Sequence, residues 1–175
     1  MEAHLVRRID PPEVGAERPM LEGWLEYHRA TLALKCEGLD DEQLRLRAVP
    51  PSNLSLIGLV RHMAEVERSW FRSVLGGERL PDLFCTSESP DADFDDVDEA
   101  SGAQALAVWR SECDLARKAA DARADLDAVG SLPTGRNAGR DVSLRWIFVH
   151  MIEEYARHNG HADLLRERID GTVGE

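Results

Sequence analysis

The sequence predicts an all-α protein, a four-helix bundle with a long acidic loop between helices 2 and 3. Three observations carry this. Four long segments repeat apolar residues at three-to-four-residue steps, the mark of an amphipathic helix. Capping residues, glycine or proline bound them. No segment reads as a convincing strand. The 175 residues suit one domain, 1–175, with room for a core.

The first helix is expected from about Pro19 to Cys36, with Met20, Leu21, Trp24, Leu25, Tyr27, Leu32 and Leu34 in periodic positions and Gly38 closing it. Asp40–Leu44 reads as a short capped helix, ended by Pro50-Pro51. The second long helix starts at the capping cluster Ser52–Ser55, runs to Leu75 and stops at Gly76-Gly77. From Leu80 to about Ala100 lies the acidic stretch, long for a compact domain. It reads either as a lid or flap, or as a solvated connector. The third helix is expected from Ser101 to Leu126, rich in Ala. Gly130, Pro133, Gly135 and Gly139 then break the chain, and the fourth helix runs from Val142 or Ser143 to about Ile169, ending at Asp170-Gly171.

The formal net charge of −12 argues against a nucleic-acid partner, which needs a basic surface, and against a polybasic membrane role. No apolar run has the length of a membrane span, and Met1–Arg8 lacks the layout of a secretory signal. Cys36, Cys85 and Cys113 are scattered, with no C-x-x-C, so neither a disulfide framework nor a cysteine zinc site is indicated. The expected location is the cytoplasm.

Chemistry concentrates on the histidines. On the fourth helix His150, Glu154 and His158 fall four apart, on one stripe, which His161 and Leu165 continue. Ile147 and Met151 share that face, so the stripe runs along core-type residues. A carboxylate there is costly without a partner. A divalent cation would remove the cost, and imidazole plus carboxylate suits zinc and its first-row neighbours, nickel among them. A third ligand must come from another helix. His62 is the candidate, since it shares a face with Gly58, Leu59, Val66, Ser69 and Ser73, which leaves space beside the ring. Three protein ligands leave one position open, as in catalytic sites.

The same residues allow a plainer reading, in which His and Glu hydrogen-bond inside a core with no metal. His150 and His161 read as pocket or outer residues, because more protein ligands would close the site. Arg157 and Arg166 could grip an anionic substrate or cofactor, or compensate the helix dipole. His28 reads as a core or surface histidine beside Trp24 and Tyr27, and His4 as tail. A serine-nucleophile elbow, a dinucleotide fingerprint and a P-loop are all absent.

Two blocks, Leu59–Trp70 and His150–Arg166, resemble the DinB/YfiT-like metal-dependent superfamily, most closely its actinobacterial mycothiol-dependent S-transferase and maleylpyruvate isomerase-like branch. The resemblance covers about Pro19 to Gly171, and the fourth-helix block is its more specific part. It implies a four-helix bundle holding one divalent metal, commonly paired as a homodimer. Much of the superfamily uses three histidines; the matching positions here are His62, Glu154 and His158, similar to the isomerase-like pattern. The resemblance further implies a small-molecule thiol, mycothiol or a similar one, whose metal-bound thiolate attacks an electrophile. Two alternatives stay open: a metal-dependent hydrolase or isomerase on the same site, and a non-enzymatic metal- or ligand-binding bundle.

Overall fold

The computed structural model describes residues 7–133 and 138–174, and within them the chain is predominantly helical. His4 and Gly135 lie outside the described residues. Helix α1 spans Glu17–Cys36, α2 Asp41–Arg45, α3 Leu56–Glu67, α4 Ala92–Asp95, α5 Gly102–Asp121 and α6 Leu144–Asp170. Past Glu67, α3 continues without a break as a π-helix over Arg68–Leu75.

The helix starts follow local capping chemistry. Ser55 accepts from the Gly58 N–H, and Ser143 accepts from the Trp146 N–H. At α2, Asp40 and Gln43 form a reciprocal capping box. Gly171 closes α6 with a φ of 81°, a left-handed conformation that glycine adopts at little cost.

Helix α1 packs along α6 and α3 along α5, with α3 and α6 meeting between them. Leu25, Leu32, Leu59, Met63, Phe71, Ile147 and Met151 fill the shared interior. A polar network crosses this interior and draws on all four long helices. Arg29 of α1 grips Glu67 of α3 with two hydrogen bonds, at 2.7 and 2.6 Å. Tyr155 of α6 donates to the same carboxylate at 2.7 Å, and Trp109 of α5 donates to the Tyr155 oxygen at 2.8 Å. Glu67 is 0% exposed. Burial alone would lower the Arg29 pKa, but the adjoining Glu67 carries it well above its ordinary value. An ion pair taken out of water persists only when its remaining hydrogen-bonding capacity is used, and here it is.

Three features depart from the sequence reading. Strands β1, Val129–Ser131, and β2, Asp141–Ser143, form an antiparallel hairpin with Gly130 opposite Val142. Three-residue strands are too short to leave a periodic signal. Gly130 seats the hairpin against the end of the π-helix, where an added Cβ would stand 2.4 Å from the Val74 carbonyl oxygen. The third long helix ends at Asp121 rather than near Leu126. Asp121 and Asp125 put negative charge at a helix C-terminus, where the dipole is unfavourable. The Leu126 carbonyl is taken instead by the Arg145 N–H at 2.9 Å. Finally, the acidic stretch contains α4 and is fastened onto α3. Arg61 donates to the Ala92 carbonyl at 3.0 Å and also to the Asp96 carbonyl. Glu65 accepts from the backbone N–H groups of Phe84 and Cys85. No helix of the described residues is long and apolar enough to cross a membrane.

Candidate metal centre

The Ser143 cap fixes where α6 begins, and the helical period then aligns His150, Glu154 and His158 along one side. The packing of α3 beside α6 brings His62 to that side. One ligand atom each from His62, Glu154 and His158 lies within 4.8 Å of the others. The His62 and His158 rings are 4.8 Å apart, edge to face. His158 Nε2 stands 3.6 Å from one Glu154 oxygen, and His150 Nε2 stands 3.5 Å from the other.

Two properties of this cluster suit a cation. Glu154 is largely shielded, yet among the described residues it meets only the imidazoles of His150 and His158, with no Arg or Lys beside it. His158 has its pKa pulled down to about 4, first by burial and then by His62 and His161. It is therefore neutral near pH 7, with a lone pair to give. Two imidazoles and one carboxyl group form a donor set that zinc and similar ions accept.

A second set, His150, Glu153 and Glu154, also lies within reach of a single ion. It fits less well. Glu153 is 45% exposed and already holds Arg157, and the two His150 nitrogens face different carboxylates. The His150 ring is instead packed between Trp70 and Trp146, at 4.6 and 4.9 Å between centroids. His161 approaches His158 from outside, Nδ1 to Nδ1 at 3.4 Å.

The arginines have other partners. Arg157 pairs with Glu153 on the surface. Arg166 lies about two turns beyond His158. Its guanidinium reaches the carbonyls of Lys35 and Glu37 and the Asp170 carboxylate. His28 packs beside Trp24 and Tyr27, and its carbonyl accepts from Asn159, tying α1 to α6.

Sequence reasoning missed two neighbours of His62, both from the acidic stretch. An Asp93 oxygen lies 2.8 Å from His62 Nδ1, and Phe94 stacks on the ring at 4.8 Å. Asp93 is only 4% exposed, unusual for an aspartate in a run of acids. The short apolar entries Ala92, Phe94 and Val97 among the acids were the available signal. A cavity of about 430 Å³, lined by Glu65, Ser69, Ser73, Arg79, Pro81 and Asp82 among others, lies along the π-helix. Ser69 and Ser73, on the π-helix that extends the His62 helix, form part of the cavity wall.

No curated protein matches the chain at a significant level. The model of the mycothiol-S-transferase family matches residues 20–171, most of the chain and both blocks that carry the histidines, and the protein therefore belongs to the mycothiol-S-transferase family.

Proposed function

We propose that the protein is a metal-dependent thiol S-transferase that joins mycothiol, or a similar small thiol, to an electrophile. The observation that carries this reading is the convergence of His62, Glu154 and His158 in a chain of this family. On this reading the four long helices form one domain, a bundle of the DinB type, and the three residues hold one divalent ion, zinc before nickel or another first-row metal. Such an ion, when bound, lowers the pKa of a coordinated thiol so that it ionises near neutral pH.

The rest is done by the chain's own groups. Three protein ligands, His62, Glu154 and His158, would leave the ion a further coordination position for the thiol. His150 Nε2 stands 3.5 Å from one Glu154 oxygen and its ring is half-shielded by two tryptophans, which suits it to take the thiol proton. His161, whose Nδ1 stands 3.4 Å from His158 Nδ1, is the other imidazole that could carry the proton. The body of the thiol would extend over Ser69 and Ser73 into the polar cavity, whose hydroxyl and charged groups suit a polyhydroxylated molecule. Arg157, at the rim, would meet an anionic group. Arg166 would serve the same role only by leaving the α1 carbonyls it now holds.

The test is conjugation of a chromogenic electrophile by zinc-loaded protein with mycothiol, then with cysteine or glutathione, and with chelator. Thiol-dependent, chelator-sensitive turnover is expected. Turnover without thiol would favour a hydrolase or isomerase. Zinc uptake with no rate above buffer for any thiol would favour a binding protein.

A further inference from the structure

We infer that Asp93 is a positioning residue for the metal centre: it fixes the tautomer and the ring plane of His62, so that Nε2 faces the ion. The inference rests on the metal reading above. It turns part of the acidic stretch into a working component of the site.

The geometry is specific. One Asp93 oxygen lies 2.8 Å from His62 Nδ1, and the other accepts from the Phe94 N–H at 3.0 Å. Both oxygens are thereby oriented. With the Asp93 oxygen as the acceptor, Nδ1 carries the ring hydrogen. In the neutral ring that leaves the lone pair on Nε2, the nitrogen not engaged by Asp93 and so the one to offer the ion. Phe94 lies against the ring face and opposes rotation about the Cβ–Cγ bond.

The carboxylate is itself held in place. Helix α4 has a single turn and would not persist alone. Arg61, one residue before His62, donates to the carbonyls of Ala92 and Asp96 at the two ends of that turn. Gly58, one turn earlier on α3, makes room: an added Cβ there would stand 3.2 Å from the Phe94 ring. Within one turn, α3 thus carries a seat at Gly58, a clamp at Arg61 and the metal-facing histidine at His62. Partners that orient metal-binding histidines in this way typically contribute 10–100-fold to metal affinity.

The experiment compares zinc affinity, by competition with a chromophoric chelator, for the wild-type protein, Asp93→Asn and Asp93→Leu. In parallel, the His62 tautomer is read from 15N shifts in zinc-free protein near pH 7.5. Asp93→Leu keeps the branched shape but has no acceptor, and should bind zinc roughly 10–100-fold more weakly, with the His62 Nδ1–H tautomer no longer dominant. Asp93→Asn keeps an oxygen acceptor and should lie between it and wild type. Zinc affinity within twofold of wild type in folded Asp93→Leu would overturn the inference. So would a wild-type His62 protonated at Nε2. Should the wild-type protein bind no zinc, the metal reading falls, and the inference with it. If Asp93→Leu fails to fold, Asp93→Asn together with the wild-type tautomer decides: full affinity in Asn and an Nε2–H ring refute the role.

Discussion

The Tyr155 hydroxyl donates to Glu67 at 2.7 Å inside the core, and the residue immediately before Tyr155 is Glu154 of the candidate metal cluster. One turn of α6 thus presents its core face to α3 through Tyr155 and its neighbouring face to His62 through Glu154. The rotation of α6 that satisfies the buried network is also the rotation that lets the cluster close.

That coupling sets the cost of disturbing the network. Glu67→Gln removes the buried charge opposite Arg29 and leaves that cation only the more exposed Glu26, at 2.6 Å, so the protein should lose about 3–5 kcal/mol. Tyr155→Phe keeps the ion pair but removes the hydrogen bond to Glu67 and leaves the Trp109 N–H without its acceptor, so at least about 1.5–3 kcal/mol is expected. Urea unfolding by circular dichroism measures both. Equal losses would show that the ion pair is not what the core depends on.

For the metal cluster, replacing His62, Glu154 or His158 by Ala should reduce zinc affinity by ~100-fold or more, beyond the range of an outer partner. His150→Ala and His161→Ala should keep near-wild-type zinc content by elemental analysis while lowering the conjugation rate. Loss of zinc in His150→Ala with retention in Glu154→Ala would reassign the ligands.

The buried thiols predict a response to alkaline pH. Burial pushes the Cys36 thiol up to about 12, and Cys113 is raised well above its ordinary value, first by burial and then by Glu67. The ordinary thiol value is about 8.5. Above that pH the unfolded chain releases thiol protons that the folded chain keeps, so folding stability falls as pH rises from about 9 toward 12. The Tm should decline through this window, and Cys36→Ala should flatten the decline. Cys85, pushed up to about 11 by burial first, should alkylate slowly at pH 8 in the native protein and readily once unfolded.

Gly130 has no space for a side chain. Gly130→Ala places a methyl against the Val74 and Leu75 backbone and should cost about 1–3 kcal/mol by overpacking. The same change at Gly160, which has open space around it, should leave stability unchanged or raise it slightly through helix propensity. Paired thermal melts of the two variants check this.

What the sequence determined by itself was local. Ser55 and Ser143 start their helices because a side-chain oxygen meets an N–H three residues on, and Gly171 ends α6 because it alone tolerates a left-handed turn there. The His150–Glu154–His158 stripe follows from the period of one helix, and the family from the blocks that carry it. Tertiary structure decided what depends on contacts between distant segments. Arg29, Glu67, Trp109 and Tyr155 each look like ordinary members of an amphipathic helix; only packing four helices together removes water from them and makes each necessary to the others. Asp93 reads as one acid among many until Arg61 fastens its turn to α3 and buries it. The periodicity of a single helix extends only a few residues either way, whereas desolvation depends on everything that packs around a group, and so the stripe was legible while the partner that orients His62 was not.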